Sequence, residues 1–258
     1  APTSGSGTFT IVPGGTLYVD GDENVPATGA VLINGGGTFE GGYTTGNLTV
    51  ADTGTTVRVT GGLFTSGTAS FPTGTNLTIV GGTFTTNGST TLAPGASLTM
   101  HCTYVSYYWC AKLAGSGSVT VESTPTTPTN VTINGGMLDG PGVLTLTQHT
   151  NTAIALDTAL WVQKPITNAG TWTQTSPGAF AAGSRVYLFE PFTNSGSIVF
   201  PDDTSGFGYS NPGAILNTGL ITKTGGTGTT SIDAPTSGSG TFTIVPGGTL
   251  YVDGDENV

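Results

Sequence analysis

Short segments of the chain alternate apolar with polar residues, and Gly, Asn, Pro or Asp separates each segment from the next. This period-two alternation predicts β-strands. No stretch of about ten residues has apolar side chains at the three- and four-residue spacing of a helix, so we expect almost no helix. The clearest predicted strands are Thr8 to Val12, Thr16 to Asp20, Ala30 to Ile33, Asn47 to Val50, Thr56 to Thr60, Asn76 to Val80 and Ser97 to Met100.

Two recurring motifs set the spacing of these strands. The first is Gly-Gly-X-Φ, where Φ is a large apolar residue, and the second is Asn/Ser-X-Gly-X-Φ. The Φ residues are Leu17, Phe39, Phe64, Phe84, Leu138 and Leu250 in the first motif, and Trp172, Ile198, Ile221 and Phe242 in the second. Most neighbours lie about 20 to 26 residues apart, which matches one turn of a β-solenoid. We therefore predict an all-β parallel β-helix of about ten or eleven coils without a capping helix.

The first 25 residues of the chain recur letter for letter at positions 234–258. This repeat predicts that residues 1–233 form one β-solenoid unit and that residues 234–258 begin the next, identical unit. An antiparallel sandwich would also contain many short strands, but it closes on itself, whereas a tandem repeat must offer the next copy an equivalent surface. Because uncapped solenoid ends leave strand edges unpaired, the expected partners are identical copies, end to end.

The composition narrows the function classes. Charged residues make up 8% of the chain, the net charge is −10, and the five basic residues are widely spaced. No basic stripe is present to neutralise phosphates, so a nucleic-acid partner is not expected. No apolar run approaches the roughly 18 residues of a membrane span. The 43 glycines suit the corners of a solenoid, where positive φ angles are needed.

The segment between Cys102 and Cys110 departs from the strand pattern. The two cysteines suit a local disulfide in an oxidising compartment better than a metal site, because no second cysteine pair accompanies them. Four aromatic residues lie between them: Tyr104, Tyr107, Tyr108 and Trp109. This predicted interaction loop either stacks on sugars or packs against neighbouring fibres, or it folds back over the apolar surface of the coil.

Two further patterns predict local chemistry. Asp20, Asp22 and Asn24 place oxygen ligands at alternate positions, as calcium loops do, although the rest of an EF-hand is missing. The alternative is an acidic turn at the joint between repeats, and no other cofactor or metal is expected. Four Asn-X-Thr/Ser sequons, at Asn47, Asn76, Asn87 and Asn130, are glycosylation sites only in a glycosylating host.

Three function classes compete. An enzyme that cleaves polysaccharides needs clustered carboxylates, whereas the acidic residues here mostly stand singly in predicted turns, so the chain is not expected to be an enzyme. A carbohydrate-binding or carbohydrate-cleaving β-helix is the main alternative to a structural role. Ice binding is the third, and it requires that the Thr-X-Thr pairs align in successive coils; these pairs are Thr8 and Thr10, Thr83 and Thr85, Thr145 and Thr147, Thr171 and Thr173, Thr222 and Thr224, and Thr241 and Thr243.

Some stretches of the chain resemble the β-strand repeats of large bacterial surface proteins, including autotransporter passengers and filamentous adhesins. The stretches are Asn217 to Ile232 (NTGLITKTGGTGTTSI), Thr193 to Val199 (TNSGSIV) and Gly247 to Val252 (GGTLYV). The resemblance implies a secreted, right-handed parallel β-helix at the cell surface. We therefore expect a structural or adhesive module of an extracellular filament, with neighbouring fibres or surface glycans as further partners.

Overall fold

The computed structural model describes residues 9–11, 16–19, 30–33, 38–41, 43–50, 53–60, 63–102, 110–175, 185–203, 206–208 and 212–252. These residues form a parallel β-solenoid, as predicted, and no helix occurs among them. The chain runs repeatedly through three strand ladders, here called face 1, face 2 and face 3, in that order.

Face 1 is an 11-stranded sheet. Its strands are β2 (Thr16–Val19), β4 (Thr38–Gly41), β6 (Thr56–Thr60), β8 (Asn76–Val80), β11 (Ser97–His101), β14 (Asn130–Ile133), β17 (Asn151–Ala155), β20 (Thr171–Thr175), β23 (Ser197–Phe200), β26 (Leu220–Lys223) and β29 (Thr241–Ile244).

Faces 2 and 3 form one 19-stranded sheet, because β5 (Tyr43–Val50) and β7 (Leu63–Phe71) run across the corner between them. Face 2 contains the first part of β5 and of β7, then β9 (Thr83–Thr86), β12 (Lys112–Ala114), β15 (Gly136–Asp139), β18 (Leu160–Gln163), β21 (Val186–Leu188), β24 (Gly206–Gly208), β27 (Thr229–Ile232) and β30 (Thr249–Val252). Face 3 contains β1 (Phe9–Ile11), β3 (Ala30–Ile33), the second part of β5 and of β7, β10 (Thr90–Leu92), β13 (Val119–Val121), β16 (Leu144–Leu146), β19 (Ile166–Asn168), β22 (Phe192–Asn194), β25 (Ile215–Asn217) and β28 (Thr236–Ser237).

The apolar side chains of each turn stack on those of the turn before. On face 1 the Φ residues of the second motif lie in register, Trp172 with Ile198, Ile198 with Ile221, and Ile221 with Phe242. The first three are fully buried. Because alternate residues of a strand point to opposite sides, this register places one column of large apolar side chains inside the solenoid. The stacking that the motif predicted is confirmed for these four residues.

From β6 to β28 the described residues form about eight complete turns, fewer than the ten or eleven predicted for the whole unit, and β2, β4 and β29 bring face 1 to eleven strands. The prediction divided 233 residues by a uniform coil of about 22 residues. From β6 onward, the steps between neighbouring strands of face 1 instead vary from 20 to 33 residues. The longest, from Ser97 to Asn130, accommodates both the segment between Cys102 and Cys110 and the turn that follows β13.

Three asparagines stack inside the corner between faces 3 and 1. The amide nitrogen of Asn168 donates to the amide oxygen of Asn194 at 2.8 Å, and that of Asn194 donates to Asn217 at 2.7 Å. All three side chains are buried. Each begins an Asn-X-Gly turn, so the polar part of the second motif builds a continuous hydrogen-bonded column beside the apolar one.

The corner between faces 2 and 3 is built from close-packed glycines and a buried lysine. A β-carbon at Gly117 would overlap the carbonyl oxygen of Gly88, and one at Gly142 would overlap that of Gly117. The Lys164 side chain is fully buried, and its ammonium donates to the carbonyl oxygens of Gly142 at 2.8 Å, Gly115 at 3.0 Å and Gly117 at 3.3 Å. Backbone carbonyls, rather than a carboxylate, therefore accept the hydrogen bonds of this ammonium.

The two copies of the repeated 25-residue sequence occupy different faces. In the first copy Phe9–Ile11 lies on face 3 and Thr16–Val19 on face 1. In the second copy Thr241–Ile244 lies on face 1 and Thr249–Val252 on face 2. The same letters thus return one face further along the solenoid. Each face requires only that alternate residues be apolar, so these segments can form strands on any of the three.

Candidate functional site

The outer surface of face 2 carries a row of large side chains. Successive strands place Met137, Trp161, Tyr187 and Gly208 in register, each directly next to the one before. The residues that follow Met137, Trp161 and Tyr187 in each strand are Leu138, Val162 and Leu188, and all three are buried in the core. Strand alternation therefore turns the row to the outside. We call Met137, Trp161, Tyr187, Phe189 and Gly208 the aromatic strip.

The ring of Trp161 contacts the two other rings of the strip, those of Tyr187 and Phe189. The ring centroids of Trp161 and Tyr187 are 5.2 Å apart with planes 28° apart, and those of Trp161 and Phe189 are 5.6 Å and 18° apart. Trp161 is nevertheless 41% exposed. Gly208 allows this arrangement, because a β-carbon there would lie 2.6 Å from the ring of Tyr187. The result is a row of nearly parallel, stacked rings in which Trp161 remains open to solvent.

An ion pair flanks the strip at each end. The Lys112 ammonium contacts the Asp139 carboxylate at 2.5 Å, and each side chain is about one-third exposed. At the other end Arg185 pairs with Asp233, and its second terminal nitrogen donates to the hydroxyl of Ser231 at 2.9 Å. The charged groups of both pairs are thus neutralised locally, while oxygen and nitrogen atoms remain beside the rings.

The predicted cysteine pair lies at the edge of face 2. Cys102 and Cys110 form a disulfide with Cα atoms 4.4 Å apart. Cys102 directly follows β11 on face 1, and Cys110 precedes β12 on face 2. The Cys110 sulfur lies 3.9 Å from the hydroxyl of Thr158, in the turn that leads into the strand of Trp161. The loop is therefore anchored on the same side of the solenoid as the strip, while its four predicted interaction residues, Tyr104, Tyr107, Tyr108 and Trp109, lie outside the described residues.

The predicted calcium ligands Asp20, Asp22 and Asn24 also lie outside the described residues. Of the sequons, Asn87 and Asn130 are exposed. Asn76 is half-buried on face 1, where its amide nitrogen donates to the Thr56 hydroxyl at 3.4 Å. Asn47 lies in β5. Exposure would therefore favour modification at Asn87 and Asn130 over Asn76.

The Thr-X-Thr pairs do not share a face. Thr83 and Thr85 lie on face 2, and Thr145 belongs to face 3. Face 1 contains Thr171, Thr173, Thr222, Thr241 and Thr243, but the pairs are out of step there, because Thr171 is next to Ser197, Thr222 is next to Val199 and Thr243, and Thr241 is next to Leu220. A single threonine column does form on face 3, where registers join the following residues in turn: Thr91, Thr120, Thr145, Thr167 and Thr193. The double threonine array that ice binding requires is thus not built from the predicted pairs in the described turns.

Lys223 and Asp203 form an ion pair within the solenoid. Lys223 is fully buried, and its ammonium contacts the Asp203 carboxylate at 2.5 Å and the Asp202 carbonyl oxygen at 3.0 Å. This hydrogen bond from Lys223 lowers the pKa of Asp203 below its ordinary value. In the described part of the chain, no three His, Cys, Asp or Glu side chains group so that they could hold a metal ion.

A cleft of about 570 Å³ opens at the corner between faces 3 and 1. Pro125, Pro128, His149 and Asn151 contribute to its walls. His149 has a positive φ of 67° in the turn after β16 and is exposed. No carboxylate is among the described side chains that line this cleft, so the imidazole has no acid or base partner there.

Comparisons with protein-family models, curated proteins and solved structures find no match to this chain. Within the described part of the chain, no helix has the length and apolar character needed to cross a membrane.

Sequence reasoning missed the aromatic strip. Its members stand singly in separate strands, and each alone is typical of an exposed strand position. The available signal was the spacing, because Met137, Trp161 and Tyr187 follow one another at 24 and 26 residues, about one turn each.

Proposed function

We propose that this chain is a structural and adhesive module of an extracellular filament or of a giant tandem-repeat cell-surface protein, in which the solenoid of one repeat continues into the next. A parallel solenoid suits this role, because each turn contacts only the turn before it and the turn after it. Length therefore increases by adding turns, without a new core.

The observation that carries the proposal is the open last turn. Phe242 and Ile244 are each 44% exposed, although they stack in register on Ile221 and Lys223, which are fully buried. The described residues place no strand on the far side of β29. Apolar side chains that are exposed at the edge of a sheet form a surface on which a further turn would pack.

The first copy of the repeated sequence supplies the matching turn. There the strand Thr16–Val19 pairs in parallel with Thr38–Gly41, and Phe9–Ile11 pairs with Ala30–Ile33. The segments that form β29 and β30 thus have the same sequence as two segments at the start of the chain. There, a following turn already pairs with them. We infer that the next repeat places the equivalent of residues 26–50 on the second copy.

The proposed geometry has two consequences. A whole 233-residue repeat would comprise about ten turns, with a rise on the order of 50 Å at roughly 4.8 Å per turn. Because the second copy lies one face further along, each repeat would also be rotated by about one third of a turn. The disulfide between Cys102 and Cys110 supports an oxidising, extracellular location for this assembly.

The proposal is tested by extending the chain beyond Val258 with a second copy of residues 26–50. We expect the amides of β29 and β30 to gain about tenfold or more in hydrogen-exchange protection, because a new parallel neighbour would pair with them. The control carries the same 25 residues in scrambled order. If both extensions leave the exchange of β29 and β30 unchanged, the continuing solenoid is wrong.

A second function, carbohydrate binding, is favoured by the aromatic strip. It is compatible with the structural role, since a fibre that attaches to a surface needs both a scaffold and a contact surface. Carbohydrate binding, the main alternative that the sequence predicted, would then be a function of face 2.

A further inference from the structure

We propose that the aromatic strip binds a neutral, β-linked polysaccharide chain and is the attachment surface of the module. This inference deepens the adhesive part of the proposed function and rests on it for its biological role. The binding itself involves only face 2 of a single unit, so it does not depend on stacking between units.

The rings provide the apolar part of the site. Trp161 is 41% exposed while its plane lies within 28° of Tyr187 and within 18° of Phe189. An aromatic face carries negative partial charge, and the C–H groups on the flat side of a pyranose ring carry weak positive partial charge. The exposed surface of these parallel rings, held by a rigid sheet, therefore offers aromatic contacts to the flat side of a sugar.

The groups at each end provide the polar part. Lys112 and Asp139 lie next to Met137 and remain about one-third exposed, so they offer an ammonium donor and carboxylate acceptors. Arg185, Asp233 and Ser231 offer the same combination at the other end. The amide of Gln163 stands beside Asp139 in the neighbouring strand and is half-buried. Sugar hydroxyls both donate and accept hydrogen bonds. Neighbouring donor and acceptor groups of this kind can therefore recognise them.

The charge balance selects a neutral ligand. The positive charges of Lys112 and Arg185, which flank the strip, are compensated by Asp139 and Asp233. An anionic glycan would therefore find no unpaired cation in the strip, and the net charge of −10 on the whole chain would oppose its approach.

The shape of the strip selects an extended chain. Met137, Trp161, Tyr187 and Gly208 follow a straight row across four parallel strands, about 14 Å at roughly 4.8 Å per strand. A β-1,4-linked chain is a flat ribbon that can lie along such a row, whereas an α-linked glucan coils away from it.

A second copy of this chain fits the strip less well. Lateral packing of protein over the row would remove water from both ion pairs, and the desolvation of such pairs offsets much of the gain from ring contacts. Sugar hydroxyls replace that water with new hydrogen bonds. We therefore favour the glycan, and the experiment tests the other occupant directly.

The experiment uses the folded chain with chitohexaose and cellohexaose as soluble probes and with insoluble chitin and cellulose in co-sedimentation. We expect binding to at least one β-1,4-linked probe, and we expect Trp161→Ala to weaken it by about tenfold or more, because a central aromatic contact is lost. Trp161→Phe retains an aromatic ring, so its affinity should lie between those of the wild type and of Trp161→Ala. The control is Leu216→Ala, since Leu216 is 46% exposed but lies on face 3.

Far-UV circular dichroism and gel filtration establish that each variant is folded. The proposal is overturned if no β-1,4-linked probe binds, or if Trp161→Ala and Leu216→Ala bind alike. It is also overturned if Trp161→Ala abolishes self-association in sedimentation while no glycan binds, because the occupant is then a second copy. The exchange experiment on β29 and β30 can succeed or fail independently of all these outcomes.

Discussion

Gly117→Ala is expected to lower the free energy of unfolding by more than about 3 kcal/mol, because the added methyl group has no space. Its β-carbon would overlap the carbonyl oxygen of Gly88 in the turn before, and that oxygen belongs to backbone that cannot rotate away. The corner between faces 2 and 3 would have to separate, and strands on both sides would lose register. Urea unfolding followed by circular dichroism measures this change.

The matched control is Gly54→Ala. Gly54 has a positive φ of 76°, but a β-carbon there would meet no atom within 4 Å. Its cost is therefore limited to backbone strain of about 1 kcal/mol. If the two variants lose a similar free energy of unfolding, the close contact between Gly117 and Gly88 is not the reason that glycine is needed at position 117.

Lys164→Met is expected to destabilise the same corner by about 3 kcal/mol. The variant keeps a side chain of similar length but removes the donor that three backbone carbonyl oxygens share, those of Gly115, Gly117 and Gly142. Those oxygens would remain buried without a partner. The control is Lys112→Met, whose ammonium is about one-third exposed and should cost less than about 1 kcal/mol.

The pH dependence of stability separates the charge of Lys164 from its packing. Burial lowers the pKa of Lys164 below 10.5, and the Asp139 carboxylate opposes this shift. Between the lowered pKa and 10.5 the unfolded chain binds more protons than the folded chain, so the stability of the wild type rises with pH across this window. Lys164→Met should lack this rise. An identical pH profile for both proteins would contradict the assignment.

The solenoid itself could be predicted from the sequence because its signals are local and repeated. In the second motif, Asn begins the turn, Gly permits the close approach of the preceding turn, and Φ enters the core. Asn194, Gly196 and Ile198 illustrate the three roles, since Asn194 stacks between two asparagines, a β-carbon at Gly196 would overlap the Gly170 carbonyl oxygen, and Ile198 is fully buried.

The features that sequence reasoning missed depend on register between distant strands. Leu17 and Leu250 stand in identical letters yet lie on faces 1 and 2, because nothing within the motif specifies a face. Trp161 and Tyr187 meet only because 26 intervening residues complete one turn. Lys164 and Lys223 are types expected at the surface, and their burial depends on oxygen atoms supplied by other turns.

The lengths of individual coils show the same limit. A uniform coil length ignores the excursions that corners tolerate, such as the segment between Cys102 and Cys110. Corner insertions add residues without adding a turn, since they leave the strand ladders intact. The length of an individual coil therefore cannot be obtained from the average spacing alone.

Electron microscopy of chains with one, two and three covalently joined 233-residue units tests the central claim most directly. The account predicts unbranched rods that lengthen by about 50 Å for each unit, with features of successive units rotated by about one third of a turn. Compact particles whose length does not increase with the number of units, or units joined by flexible links, would contradict it.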